Sequence, residues 1–428
     1  MKRPYVIGFV LALVVAACTN SDGQTTSTAS SPPVTGGEAT TTTTAVPPPD
    51  LLSLMQQVAE VRQVEAGLPA VERRAAADVI AAYRELRGGP AAGDEPFDAG
   101  YLQTLGVLDD GETVADLRTS CPVPGFYDYS TGTLVLSDSL TDALADLTPL
   151  GRRHLVQELT MAATDEAFGW GPAISERIAA GDTEQAAGAL GLVLGDASFH
   201  ADQYEAEFLS PTDRFAINLE LLSCERTRPD PPGYVIEFER YGPEVGRSFV
   251  EELISTGGVD SVDAAYDRLP SSTEQIYHPG RYFGGEAAVA VELEPIESTE
   301  LTEVAGGVFG ERAFRALLSE GVGEALALQA ATGWGGDAYR VLWDGSDTVL
   351  VLRFIGDETR DARELAETVG GWASASLGVG GGRPDNTGLA FEGEDYAFVA
   401  HKGSELLLVV SSNAELGRDV RNIFWPVW

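Results

Sequence analysis

Apolar residues recur at three- and four-residue steps through much of residues 51–285, the spacing that buries one face of a helix. The runs LLSLMQQVAEVRQVEAG and AVERRAAADVIAAYRELRGG predict helices between Leu51 and Arg87, and a Gly-Gly pair ends the second run. Further helices are predicted, in chain order, at about 141–147, 150–168, 171–180, 183–208, 210–223 and 241–256. We therefore expect this half of the chain to be mainly helical.

One stretch breaks the helical pattern. In GFYDYSTGTLVLSDSL, residues 125–140, aromatic residues precede a Ser-Thr-Gly turn, and the β-favouring run Thr133-Leu134-Val135-Leu136 follows it. This pattern predicts a β-hairpin within the helical half.

From residue 286 the pattern changes to short apolar runs separated by turns. Strands are predicted at 287–296, 338–345, 347–356, 389–403 and 405–412, with hairpin turns at 344–347 and 401–404 and a tight turn at 333–337. Helices are predicted at 301–319, 321–331, 358–375 and 413–424, the last capped by Ser412 or Asn413. The expected fold class is α+β, with a helical domain at 51–285 and an antiparallel-sheet α/β domain at 286–428.

The amino terminus has the features of an export signal. MKRPYVIGFVLALVVAAC has two basic residues, an apolar run too short for the roughly 20 residues of a membrane span, and small residues before Cys18. We expect residues 1–17 to be a signal peptide and Cys18 to carry the lipid of a bacterial lipoprotein. An ordinary cleavage site that ends in cysteine is the alternative. The Thr-, Ser- and Pro-rich residues 18–50 are then a flexible tether on the outer face of the cytoplasmic membrane.

The net charge limits the possible binding partners, and the cysteine content predicts a disulfide. The net charge of −38 argues against nucleic acid as a partner, because phosphate binding needs clustered positive charge. In an oxidising compartment, Cys121 and Cys224 are expected to form a disulfide, and two free buried thiols are the alternative.

The candidate chemistry lies in HLVQELTMAATDEAFGW, residues 154–170. In H-E-x-x-H metallopeptidases, two histidines four residues apart on one helix face bind zinc, and the intervening glutamate activates the metal-bound water. Here Glu158 occupies the glutamate position, but Gln157 and Met161 stand where the histidines would be.

Four segments in the same order resemble a family of bacterial and archaeal exported metallopeptidase-like proteins of the gluzincin type. They are GFYDYSTGT (125–133), LVQELTMA (155–162), LGDA (194–197) and PSSTEQIYHP (270–279), and GWGGD (333–337) follows them. The family has Val-His-Glu-Leu-Thr-His-Ala at the second segment. At the third it has Glu-Gly-Asp-Ala, whose glutamate resembles a third zinc ligand. This chain has Leu194 in that place.

The resemblance implies a metallopeptidase fold whose three metal ligands are gone, at Gln157, Met161 and Leu194. An amide, a thioether and an aliphatic side chain are poor zinc ligands, and without a metal Glu158 has no activated water to deprotonate. We expect no cofactor and no catalysis. The expected function is binding of a peptide, a cell-envelope component or a protein partner, with His278, Glu274 and Trp334 as a possible ligand cleft.

Two alternatives remain open. An active metallohydrolase with relocated ligands would use His154, Glu158 and His200, although His154 lies three residues before Gln157 and therefore off the original face. The other alternative is a structural envelope lipoprotein without a ligand. The segment at 270–279 also has a structural interpretation, because Ser271 with Glu274, or Ser272 with Gln275, fits a helix capping box.

Overall fold

The computed structural model describes residues 50–87, 102–108, 121, 123–141, 143–227, 230–294, 301–385 and 388–424. All of the described residues belong to one compact unit. The predicted signal peptide, Cys18 and the tether up to residue 49 lie outside the described residues. The fold is α+β, as the sequence predicts.

The helical half is built on two long central helices, α3 and α5. They pack against each other and are flanked by shorter helices. The helices of this half are α1 (Leu51–Arg62), α2 (Ala76–Arg87), α3 (Pro149–Phe168), α4 (Trp170–Ala179), α5 (Thr183–Phe208), α6 (Pro211–Thr227), α7 (Gly233–Arg240), a π-helix (Tyr241–Gly246), α8 (Arg247–Gly257), α9 (Val259–Asp267), α10 (Thr273–Tyr277) and α11 (Pro279–Gly284).

A three-stranded sheet lies beside these helices. The predicted hairpin is confirmed: β2 (Gly125–Asp128) pairs antiparallel with β3 (Thr133–Ser137) through a turn that contains Gly132 at φ 68°. The second predicted helical run, AVERRAAADVIAAYRELRGG, is wrong at its start, where β1 (Ala70–Arg74) pairs in parallel with β3. The helix predicted at 141–147 is also wrong, because its described residues form turns.

The second half contains a seven-stranded antiparallel sheet in the order β4-β5-β6-β10-β9-β8-β7. Its strands are β4 (Thr302–Gly307), β5 (Trp334–Trp343), β6 (Thr348–Gly356), β7 (Arg383–Asp385), β8 (Gly388–Glu392), β9 (Tyr396–Lys402) and β10 (Glu405–Ser411). Its helices are α12 (Gly310–Val322), α13 (Glu324–Ala331), α14 (Thr359–Ser376) and α15 (Ala414–Phe424). The predicted hairpin connections β5–β6 and β9–β10 are confirmed.

Several predictions in this half need correction. Residues 287–294 form no regular strand, and residues 295–296 lie outside the described part of the chain. Residues 302–307 form β4 instead of the start of a helix, since their backbone pairs with β5. Residues 334–337 belong to β5, although Gly333 does adopt a positive φ of 91°. The single strand predicted at 389–403 is two strands, β8 and β9, paired with each other.

Side chains alternate between the two faces of this sheet, and both faces are covered. Along β6, Leu350, Leu352 and Phe354 face the core that includes α12 and α14. Val349 and Val351 face the opposite core, which includes Val420 of α15. The sheet is therefore the middle layer between helices.

The two halves share core residues across the predicted boundary at 285/286. Tyr234 and Val235 of α7 belong to the core of the second half. Residues 102–108 contribute Leu102 and Leu105 to the same core. Within the described ranges, no helix combines the length and hydrophobicity needed to cross a membrane.

Candidate functional site

Helices α3 and α5 hold Gln157, Met161 and Leu194, the positions at which the resemblance places zinc ligands. The Oγ1 of Thr148 caps α3 by accepting a hydrogen bond from Gly151 N, and the helix ends at Gly169, where φ is 67°. Gln157 faces α5, and its Nε2 donates to the Oγ of Ser198 at 3.2 Å. The amide is therefore engaged in joining the two helices.

Glu158 is buried and forms an ion pair with Arg87, the last residue of α2. Arg87 Nη2 lies 2.7 Å from Glu158 Oε2, and the two side chains are only 9% and 4% exposed. The same carboxylate oxygen accepts a hydrogen bond from the backbone N of Tyr127 at 2.8 Å. The glutamate that would act as a general base is thus neutralised by a fixed guanidinium.

Met161 and Leu194, the other expected ligand positions with Gln157, are packed against neighbouring side chains. Met161 is 1% exposed, and its Sδ lies 3.4 Å from Arg87 Nη2. Leu194 on α5 packs against the π-helix, so closely that a Cβ built on Gly242 would lie 2.7 Å from the Cβ of Leu194. A zinc ion at this centre would have a cation next to it and no suitable ligand, so these residues do not fit zinc.

His154 and His200 make separate local contacts. The Nε2 of His154 lies 2.9 Å from Gly125 O and 3.7 Å from Glu158 Oε1, and burial lowers the pKa of its imidazole. His200 is 3% exposed, and its Nδ1 lies 2.7 Å from Asp196 Oδ1. Among the described residues, the ligand atoms of His154, Glu158 and His200 do not come close enough together to hold one metal ion. The geometry therefore gives no support to the relocated metal site.

Asp196, from the LGDA segment, is the centre of a buried polar network. Its Oδ2 accepts hydrogen bonds from Arg62 Nε at 2.9 Å and from the Tyr266 hydroxyl at 2.8 Å. Burial favours a higher pKa for Asp196, but the charge of Arg62 and the hydrogen bond with His200 outweigh it and lower the pKa. The network ties α1, α5 and α9 together, which gives this segment a structural role.

Segment 270–279 joins the two halves of the molecule. Ser272 caps α10 by accepting from Gln275 N, while Gln275 Oε1 accepts from Ser271 N, so the contacts resemble the predicted capping box with one arm shifted by a residue. Thr273 donates through its Oγ1 to Glu184 of α5 at 2.7 Å and accepts from Arg312 N of α12 at 3.2 Å.

The expected ligand cleft of His278, Glu274 and Trp334 is not formed as a unit. Trp334 is fully buried, and its Nε1 donates to Asp337 at 2.6 Å, so it belongs to the core. Glu274 is buried, and burial together with the charge of Glu311 raises its pKa to about 8. His278 is partly exposed, with its Nε2 3.0 Å from Glu311 Oε1. Only His278 of the three has appreciable access to solvent.

A groove of about 340 Å³ lies next to His278, between the π-helix with α8 on one side and residues 276–279 on the other. Its lining is apolar at Phe249 and Ile276 and acidic at the exposed Glu244 and Glu252. The full lining consists of Glu244, Val245, Ser248, Phe249, Glu252, Ile276, Tyr277 and Pro279. Such a groove suits a ligand with an apolar body and a positive charge.

The predicted disulfide is confirmed. Cys121 and Cys224 are bonded, with their Cα atoms 5.1 Å apart, and the bond fixes the chain before β2 to α6.

Sequence reasoning missed Arg87 as the ion-pair partner of Glu158, and it missed several buried carboxylates elsewhere in the chain. Arg87 was part of an expected helix, but no local pattern pairs it with Glu158, which lies 71 residues further on. The sequence also contained no sign that three carboxylates are buried, because burial depends on how distant elements pack. They are Glu184, Asp337 and Glu311.

Residues 297–421 match a family model described as a domain of unknown function (DUF8575). The matched range lies within the second half and contains the seven-stranded sheet. Comparisons with curated proteins and with solved structures give no match for this chain. The metallopeptidase resemblance of the helical half, which lies outside the matched range, stays a prediction.

Proposed function

We propose that this protein is a lipid-anchored extracytoplasmic protein that has a metallopeptidase-like fold, has lost catalysis and acts by binding. The observation that carries the proposal is the buried pair of Arg87 with Glu158. A general base needs a free carboxylate next to a water molecule. Glu158 instead accepts from a guanidinium and a backbone N–H in a space filled by Met161.

The groove beside His278 is the best-supported binding surface, since the former metal centre is packed. We assign it a peptide segment with a lysine or arginine side chain. The aliphatic part of that side chain would contact Phe249 and Ile276, and the charge would lie near Glu252. The strongly negative net charge of the chain also favours a basic ligand.

The experiment that tests the proposal combines metal analysis with a protease assay. Purified protein is expected to contain no stoichiometric zinc and to show no cleavage of casein that a chelator inhibits. Glu158→Gln is expected to leave this result unchanged. Stoichiometric zinc together with chelator-sensitive cleavage that Glu158→Gln abolishes would overturn the proposal.

Binding in the groove is tested with a fluorescent peptide, Ala-Leu-Lys-Leu-Ala, and the same peptide with glutamine in place of lysine. Glu252→Gln is expected to weaken binding of the lysine peptide by about fivefold or more, the effect of about 1 kcal/mol for one exposed charge pair. Glu251→Gln is the matched control, because Glu251 is the neighbouring residue on α8 but pairs with Arg247. Equal effects of the two substitutions would contradict the assignment.

A structural envelope lipoprotein is the second candidate, and the packing of Met161 and Leu194 in the former centre favours it. The peptide titration separates the candidates, since a purely structural protein would bind neither peptide. Anchoring is common to both candidates. Cys18→Ala is expected to abolish incorporation of labelled palmitate and to release the protein from the membrane fraction.

A further inference from the structure

Three carboxylates from three different elements surround one guanidinium at the junction of the two halves. Glu274 lies on α10, Glu286 follows α11, and Asp357 follows β6; one ligand oxygen from each lies within 4.8 Å of the others. We call these three residues the acidic cluster. Arg281 of α11 forms ion pairs with Glu286 and Asp357, and its Nη2 lies 3.8 Å from Glu274 Oε1.

The charges of the acidic cluster are only partly balanced. Arg281 supplies one positive charge against three carboxyl groups, which leaves two negative charges once Glu274, whose pKa is raised to about 8, has released its proton. Glu311, close to Glu274, adds another carboxylate, but Arg315 of the same helix pairs with it. An excess of two negative charges matches one divalent cation.

One buried oxygen of the cluster points to a missing ligand. Glu274 is only 5% exposed, and its Oε1, which faces Arg281 within the cluster, has no hydrogen-bond partner among the described residues. Leaving a buried carboxylate oxygen unpaired is costly, so a proton or a cation is needed here.

We propose that Glu274, Glu286 and Asp357 bind a hard divalent cation of the calcium class. The ligands are all carboxylate oxygens, which suit Ca²⁺ and offer neither the imidazole nor the thiolate that zinc prefers. Because the three residues lie on α10, after α11 and after β6, the bound ion links the helical half to the seven-stranded sheet. This proposal does not depend on the proposed peptide-binding function.

Arg281 is the internal competitor for this site. Its side chain is 28% exposed, which allows it to turn towards solvent when the ion enters. The guanidinium holds Glu286 and Asp357 together in the absence of the ion. Removing Arg281 therefore eliminates a competing cation and increases the affinity for the ion, whereas a purely structural ion pair would give no such gain.

The test is calorimetric titration of chelator-treated protein with CaCl₂, with far-UV circular dichroism to verify folding. Wild-type protein is expected to bind one Ca²⁺ with a Kd of about 10⁻⁴–10⁻³ M, the range of extracellular modules. Glu274→Gln and Asp357→Asn are each expected to weaken binding by about tenfold or more, and Arg281→Gln is expected to strengthen it. Glu286→Gln, at a half-exposed position, serves as a further variant if a buried substitution prevents folding.

Glu303→Gln is the matched control for general attraction of Ca²⁺ to an acidic surface. Glu303 pairs with Arg340 in the second half and takes no part in the acidic cluster, so its substitution is expected to leave the Kd unchanged. The proposal is overturned if Ca²⁺ shows no saturable binding up to about 10 mM. It is also overturned if Glu303→Gln weakens binding as much as the substitution of a cluster residue.

Discussion

At the scale of single residues, the contacts of Glu158 change the role that the sequence suggests for it. The sequence places it at the position of a catalytic glutamate, and that position on α3 follows from local spacing alone. Its partner Arg87 comes from α2, and only the packing of α2 against β2 and β3 brings the guanidinium to the carboxylate. A single helix motif therefore shows that histidines are absent at positions 157 and 161, but it does not show which residue neutralises Glu158.

The first prediction concerns this ion pair. Arg87→Met keeps much of the apolar volume but leaves Glu158 buried without its counter-ion, so we expect a loss of about 3–5 kcal/mol in the free energy of unfolding. Arg74→Met is the control, because Arg74 pairs with Glu72 on the surface and should cost about 1 kcal/mol or less. Urea denaturation measures both values.

Combining Arg87→Met with Glu158→Gln should recover part of the lost stability, since the uncompensated charge is then removed as well. Similar losses for Arg87→Met and Arg74→Met would show that the pair contributes little to the stability of this centre.

At the scale of elements, the spacing of apolar residues correctly predicted the helices and the hairpin whose formation depends mainly on residues close in sequence. The hairpin β2–β3 and the helices α3, α5 and α14 follow their apolar spacing and end signals closely. Strand β1 does not follow its local pattern. Its sequence, AVERR, predicts helix, and it forms a strand because it pairs with β3, about 60 residues later in the chain. The π-helix after α7 also lies at a long-range contact. Its backbone packs against α5, and no local sequence pattern predicts that contact.

The second prediction is made at that crossing. A Cβ on Gly195 would lie 2.2 Å from the carbonyl carbon and oxygen of Gly246, so the helices must separate to admit alanine. Gly195→Ala is expected to lower the free energy of unfolding by about 1–3 kcal/mol or more. Gly280→Ala, in α11, meets nothing within 4 Å and is expected to be neutral or slightly stabilising.

Thermal or urea unfolding of these two variants measures the difference. A neutral Gly195→Ala would mean that α5 and the π-helix do not approach as closely as the structure indicates.

At the scale of the whole molecule, buried acids lie where the two halves meet. Glu184 of α5 lies against Gly310 of α12, where a Cβ built on the glycine would lie 2.2 Å from Glu184 Oε2. Asp337 of β5 accepts hydrogen bonds from Phe309 N and Gly310 N at the start of the same helix. Burial raises the pKa of Glu184 to about 8 and that of Asp337 to about 6. The junction is therefore more stable when these carboxyls are protonated.

The third prediction is a pH dependence. Between pH 4.5 and about 8 the folded state keeps a proton on Glu184 that the unfolded chain releases. The contribution of protonated Glu184 to the free energy of unfolding is therefore complete below its ordinary pKa of 4.5 and is lost as the pH rises towards 8. Glu184→Gln, which cannot ionise, should gain stability relative to wild type between about pH 5 and 8 and no further above it. Unfolding free energies measured across this range test the prediction, and a constant difference between the two proteins would contradict it.

The central claim is that the helical half has a metallopeptidase frame whose centre is lost and occupied by Arg87. It is tested most directly by rebuilding the centre with Gln157→His, Met161→His and Leu194→Glu, with and without Arg87→Gln, and by measuring bound zinc in folded protein. We predict no zinc in wild type, weak binding in the triple variant, and one tightly bound zinc once Arg87→Gln removes the competing charge. If the folded fourfold variant binds no zinc, the three positions do not converge and the account is wrong.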